Sequence, residues 1–439
     1  MRDGSRWVGV AAAVFVLAGC AADPGPAAPA DDCVKIVEEG GTETDRCLPL
    51  APEDGRVDTG TPRFGNPLRV TNPLHPTGIV RQTIYGGQVD GKPFRTEVTL
   101  LPERKIINWG GHRIDALESQ YFALSDGRIK EVALDWYAQA DDGSVWYLGE
   151  DVFNYEDGEV VDTDGTWVAG ADAPAAMIMP AHPAKGDVYR PENKPGVVFE
   201  EVTVSATNQT VDGPSGPIEG AITVSELHMD GSREDKTFAP GYGEFSTGNA
   251  DGDHEAASLA LPADATNAPV PPTVDALATA IRRATDAVAG ADWAAADTAT
   301  AAVAKAWTAA RPEDAPLPLL TRQMDRDIDT LTTAVSQRDA GGARDAALRV
   351  AQNELDVRSR HEAVDPTRVA LWARQLVIDA AADDQAAVAG DLASLKWTFD
   401  RIRGDVPDPA AVHRTLTALG EAVEQGDLAA AATEARKLG

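Results

Sequence analysis

Between residues 77 and 248 short apolar runs alternate with polar positions. Asp-Gly pairs cut them at 90, 126, 142, 157, 164, 212 and 230. Asp-Gly suits tight hairpins because both central residues of such a turn take positive φ. In "GRIKEVALDWYAQ" the apolar Ile129, Val132, Leu134, Trp136 and Ala138 fall near one face after one break in register. Asp135, Tyr137 and Gln139 take the other face. The pattern predicts an antiparallel meander of roughly eight to ten strands, a curved sheet or a sandwich.

Beyond residue 266 the period changes. Tyr and Asp-Gly vanish and Ala becomes abundant. Four segments each open with an Asp followed by small residues, at Asp292, Asp339, Asp384 and Asp427, spaced by 47, 45 and 43. An Asp whose carboxylate accepts from free backbone N–H groups is a good helix N-cap. Each segment follows another helical stretch, so the repeating unit is a helix, a tight turn and a second helix. Four such hairpins give about eight helices, with Trp293, Trp307, Trp372, Trp397 and Phe399 as core candidates. The fold class expected is therefore multidomain α and β: an antiparallel β-sheet domain over 77–248, a linker over 249–272, and an all-α helical-hairpin bundle over 273–439.

The amino-terminal stretch alters the picture of location. "MRDGSRWVGVAAAVFVLAGC" has Arg2 and Arg6, a short apolar run, then Gly19-Cys20. This is the form of a secretory signal peptide, expected over 1–19. "LAGC" resembles the lipobox of bacterial lipoproteins. The resemblance implies a diacylglycerol on Cys20 as the one covalent group expected, with acyl chains such as palmitate, and an anchor on the outer face of the bacterial cell membrane. Residues 20–30 form a Pro/Ala tether. Residues 31–76 hold Cys33 and Cys47, paired as a disulfide in an oxidising compartment, and a Pro-rich entry segment. The net charge of −31 repels phosphate backbones, so nucleic acid is not an expected partner. The membrane, through the lipid, and a protein or lipid-like ligand are.

"LDWYAQADDGSVWYLGEDVFNYEDGEVV", "GTWVAGADAPAAMIMPAHPAKGDVYRPENKPG" and "DKTFAPGYGEF" resemble a family of exported bacterial lipoproteins with no assigned activity, over about 70–245. The resemblance implies location and a β fold; it carries no catalytic residues.

Candidate chemistry is sparse. Trp136, Tyr137, Trp146 and Tyr147 flank the Asp142-Gly143 turn and could line a ligand wall, although cross-strand aromatic pairs also explain them. Asp135, Glu150 and Asp151 are acids beside the same turn; a hydrolase would need them to converge in a cleft with raised pKa. Asp325, Asp329, Asp356 and His361 are candidate metal ligands in the helical part, set against ordinary surface ion pairs. "GNADGDHEAAS" places oxygens at alternate positions, but His254 and Ala260 stand where a calcium loop needs Gly and Glu. No nucleophile elbow, phosphate loop or dinucleotide fingerprint is present. The reading favoured is a non-enzymatic binding or scaffold protein for an apolar or amphipathic ligand or a protein partner. An envelope metal-handling protein and a hydrolase are the alternatives.

Overall fold

A computed structural model describes residues 33–38, 41–249, 252–266, 268–311 and 317–439. The expected signal peptide, tether and lipidated Cys20 lie outside them. None of the described helices is long and apolar enough to cross a membrane.

The chain enters as a hairpin of β1 (Lys35–Glu38) and β2 (Thr42–Cys47), closed by the expected Cys33–Cys47 disulfide. Fourteen strands then form one antiparallel sheet. They are β3 (Gln82–Val89), β4 (Lys92–Trp109), β5 (His112–Ser125), β6 (Arg128–Gln139), β7 (Val145–Glu156), β8 (Glu159–Asp162), β9 (Trp167–Val168), β10 (Ala176–Met179), β11 (Val188–Lys194), β12 (Val198–Gly213), β13 (Gly216–His228), β14 (Arg233–Ala239), β15 (Gly243–Gly248) and β16 (His254–Leu261). The order is β10-β7-β6-β5-β4-β3-β16-β15-β14-β13-β12-β11, with β8 and β9 also paired to β7. β10 and β11, the ends of this path, pack against each other without joining as a ladder. The sheet is thus curled into an open barrel, with more strands than the eight to ten expected.

β16 corrects the expected linker. Residues 254–261 pair with both β3 and β15 and complete the sheet. "HEAASLAL" is Ala-rich and lacks the β-branched residues that mark a strand. Its strand state comes from pairing with β3, about 170 residues earlier in register terms (His254 opposite Gln88).

Among the described residues eight helices follow: α1 (Pro272–Ala289), α2 (Trp293–Ala310), α3 (Pro318–Gln337), α4 (Ala340–Ser359), α5 (Asp365–Ala381), α6 (Gln385–Ile402), α7 (Pro409–Glu424) and α8 (Leu428–Ala435). The capping expectation holds at each of the four positions. Asp292, Asp339, Asp384 and Asp427 accept from the backbone N–H of Ala295, Gly342, Ala387 and Ala430. Trp307, Trp372 and Phe399 are buried as expected, while Trp293 and Trp397 are partly buried.

The helices lie on the outer face of the curled sheet. α3 meets β3 and β16, and α6 meets β4, β6 and β8. Ile84 and Leu259 join the core of α1–α4; Phe122, Leu124 and Val132 join that of α5 and α6. The β7–β8 turn reaches α6 backbone to backbone. Gly158 has φ +79, and a Cβ there would stand 2.3 Å from Gly390 N and 2.4 Å from Ala386 O.

Charge is buried at this junction as well. Arg95 and Glu97 point outward from β4. Arg95 meets Glu97 at 2.5 Å and Asp356 at 2.6 Å; Arg368 meets Glu97 and Asp356, each at 2.7 Å. Arg401 pairs with Glu97 and donates to Gln120 Oε1 at 2.6 Å. Asp365 lies 3.5 Å from both Arg368 and Arg401. Three guanidiniums therefore face three carboxylates. Burial alone would raise the Glu97 carboxyl, but Arg368, Arg95 and Arg401 hold it well below its usual range.

Candidate functional site

Covering the outer face leaves the inner face of the sheet as an enclosed surface. Strand alternation decides what lies there. Thr96 and Val98 of β4 face inward because Arg95 and Glu97 face the helices; Ser119 and Tyr121 of β5 face inward because Gln120 and Phe122 do not. The residues 63–80 cross one end of the curl. They are pinned by the β6–β7 hairpin: Gln139 Oε1 accepts from Thr71 N at 2.7 Å and Asn72 N at 2.9 Å, and Asp141 Oδ1 from Gly65 N at 2.7 Å. Behind this strap lies a cavity of about 190 Å³, lined by His75, Tyr85, Tyr121, Tyr137, Asp135, Glu244 and Glu255 among others. Val80, Val98, Leu100, Ile178 and Phe238 supply its apolar side. A second opening of about 310 Å³ lies at the other end, with Glu131, His228, Glu234 and again Glu255 on its wall.

The interior is dominated by carboxyl groups. Glu131, Asp135, Glu150, Glu192, Glu200, Glu226, Glu234, Glu244 and Glu255 act on one another there. Lys236 and His228 lie among them, and Lys130 sits beside Glu131. Burial, with the neighbouring acids, pushes Glu131 up to about 7. Burial and nearby Glu244, Glu234 and Glu131 push Glu255 up to about 8, against the hydrogen bond from Thr96 Oγ1 at 2.7 Å. His75 is held neutral by burial, its pKa lowered to about 4; it makes an edge contact with Tyr137 at 4.7 Å.

The β6–β7 hairpin divides by face. Tyr137 lines the cavity and stacks on Tyr147, ring centres 4.8 Å apart. Tyr147 donates to Asp135 Oδ1 at 2.7 Å. Trp136 and Trp146 lie on the opposite face and form no part of the cavity wall. Trp136 is fully buried, donates to Glu118 Oε2 at 2.9 Å and is covered by the Lys105 ammonium at 3.9 Å; Trp146 donates to Ser144 Oγ at 2.9 Å. Of the four candidate wall residues only Tyr137 lines this cavity; Tyr147 stacks behind it on the same face, and the two tryptophans take the other, because adjacent residues on a strand cannot share a face.

The acids of the hairpin divide in the same way. Asp135 and Glu150 stand opposite each other in register and face inward, and Glu150 is hydrogen-bonded to Glu192. Burial raises both Asp135 and Glu150. Two neighbouring buried carboxyls of this kind share protons with each other and with Glu192. Asp151 points away, 3.7 Å from Lys105.

The candidate metal ligands of the helical part are not brought together. Asp325 accepts from Trp307 Nε1 at 2.8 Å and pairs with Arg311. Asp329 is exposed. Asp356 is consumed by Arg95 and Arg368, and His361 Nδ1 bonds Ala268 O at 3.0 Å. The helix turns α3 so that Asp327, not Asp325 or Asp329, is the buried acid, bound by Arg326, Arg349 and Asn353.

Sequence reasoning missed Glu131, Glu192, Glu200, Glu226 and Glu244, and met Glu255 only as an oxygen of the failed calcium-loop pattern. The signal was present as acids alternating with aliphatics, in "VFEEVTV" and "TVSELH", but a polar position on a strand normally reads as solvent-facing. Comparison of the chain with known protein families, curated proteins and solved structures returns no match.

Proposed function

We propose that the protein is a lipid-anchored envelope binding protein, held to the outer face of the membrane through Cys20, whose curled sheet takes up a small amphipathic amine. The observation that carries this is the tyrosine-lined cavity: Tyr85, Tyr121 and Tyr137 around a space of about 190 Å³ whose carboxyl groups are Asp135, Glu244 and Glu255. Aromatic faces attract a desolvated ammonium by roughly 0.5–2 kcal/mol each. A carboxylate supplies the counter-charge, and the aliphatic side of the same cavity accommodates the apolar part of the ligand. An anionic ligand would meet like charge, and a wholly apolar one would make no use of these carboxyls. The motif resemblance to exported lipoproteins and the Cys33–Cys47 disulfide support the extracytoplasmic setting.

Calorimetric titration of the full chain in detergent, with choline and with its uncharged isostere 3,3-dimethylbutanol, tests the reading. Choline binds at least tenfold more tightly, and Tyr137→Ala weakens it. Equal affinity for the two probes, or binding of neither, overturns it.

A further inference from the structure

The opening at the β13–β14 turn holds a second set of ligand atoms, at the other end from the tyrosines. Glu226 and His228 are two apart on β13 and so share the inner face. Glu200 on β12 stands opposite His228 in register. One carboxylate oxygen from each Glu and a ring nitrogen of His228 all lie within 4.8 Å of one another. His228 Nδ1 is 3.4 Å from Glu200 Oε1, and Nε2 is 3.6 Å from both Glu226 Oε1 and Glu234 Oε2. These separations are longer than strong hydrogen bonds. Glu200 stands on the Nδ1 side of the ring and Glu226 and Glu234 on the Nε2 side, so an ion bound through Nε2 would have Glu226 at 3.6 Å, close to the ~3.3 Å between two ligands of a tetrahedral ion with bonds near 2.0 Å.

One further observation points to a cation. Glu226 Oε1 is fully buried and has no donor in hydrogen-bonding geometry, although the Lys236 ammonium approaches it to 2.6 Å.

We propose that Glu200, Glu226 and His228 bind one first-row divalent cation, Zn²⁺ or Mn²⁺, with Glu234 beside it. Such ions accept imidazole and carboxylate together, whereas Ca²⁺ takes oxygen ligands only. This site is distinct from the helical acids considered above, and it does not depend on the amine reading. The metal–nitrogen bond uses the ring lone pair, so any proton on that nitrogen leaves to buffer as the ion binds.

The test uses the full chain in detergent, stripped with chelator and dialysed. Zn²⁺, Mn²⁺ and Ca²⁺ are titrated calorimetrically in two buffers of different ionisation enthalpy. The Mn²⁺ complex is examined by pulsed electron paramagnetic resonance for coupling to ¹⁴N. One Zn²⁺ or Mn²⁺ per chain binds with proton release, Ca²⁺ binds at least tenfold more weakly, and the Mn²⁺ spectrum shows one imidazole nitrogen. His228→Ala and Glu226→Gln each weaken Zn²⁺ at least tenfold, while Asp325→Asn leaves it unchanged. Should a variant fail to fold, the nitrogen coupling in the unaltered chain decides. No retained ion, Mn²⁺ without nitrogen coupling, or folded variants with undiminished affinity overturns the proposal.

Discussion

The buried charge network between β4 and helices α4, α5 and α6 gives the sharpest test of how sheet and helices are joined. Glu97→Gln keeps the shape and removes one negative charge. In the native protein Arg95, Arg368 and Arg401 face Glu97, Asp356 and Asp365. The variant leaves three guanidiniums against two carboxylates, with the Glu97 side chain 3% exposed and that of Arg401 1%. Removing one partner of a buried pair costs about 3–5 kcal/mol, because the other charge remains desolvated without its counter-ion. Taking away the surplus guanidinium as well, in Glu97→Gln/Arg401→Met, restores neutrality. The double variant therefore loses less than the sum of the singles, by about 1–3 kcal/mol. Urea unfolding, followed by circular dichroism and tryptophan fluorescence, measures all four members of the cycle. A Glu97→Gln loss below about 1 kcal/mol, or strict additivity, would refute the reasoning. The pH dependence has a fixed sign. The Glu97 pKa is depressed in the folded state, so its stabilisation is present above the ordinary value of 4.5 and is lost as pH falls through the lowered one.

The interior predicts the opposite slope. Glu131 and Glu255 are raised to about 7 and about 8 from 4.5, so their contribution is full below pH 4.5 and is lost as pH rises to about 8. The midpoint of thermal unfolding falls between pH 5 and 8, and Glu131→Gln/Glu255→Gln flattens the fall; a wild-type midpoint that is constant or rising contradicts this. Gly158→Ala places a Cβ into the α6 backbone at a positive φ; it destabilises by more than about 1 kcal/mol in denaturant titration, and a neutral effect rules out the close approach. Opening the 14-residue Cys33–Cys47 loop with a Cys33→Ser/Cys47→Ser pair removes up to about 3 kcal/mol from the hairpin. Limited proteolysis then cuts between β1 and β2 while β3–β16 stays intact, and an unchanged cleavage pattern contradicts the role assigned to the bond.

Local rules were legible in the sequence where local physics decided the outcome. The Asp-Gly turns and the capping Asp residues act through their own backbone neighbours, so the hairpin meander and the four helical hairpins could be read directly. Asp408 is a fifth cap of the same kind, accepting from Ala411 N, but "DVPDPAAV" hid it behind two prolines. Long-range outcomes were not legible. β16 is a strand because β3 and β15 flank it, and Asp327 is the buried acid because of where α3 meets Arg349. The tyrosines and acids of β5, β6, β13 and β16 were visible as types. What hid their role was a sheet covered on its outer face, which inverts the usual reading of apolar as inside and polar as outside.

That inversion gives the argument for binding its physical force. Both faces of the sheet hold desolvated charge, yet they are solved differently. On the outer face the three carboxylates of the network meet three guanidiniums, each within 3.5 Å of a partner. On the inner face nine carboxyls share one interior with Lys236 and His228, and burial raises the pKa of seven of them. A fold could relieve the inner imbalance with the same arginines it uses outside. A protonated carboxyl keeps the barrel stable while empty, and releases its proton when a cation arrives to replace it. An acidic interior that Lys236 and His228 balance only in part is the physical ground for the ammonium proposed at one end and the divalent ion proposed at the other.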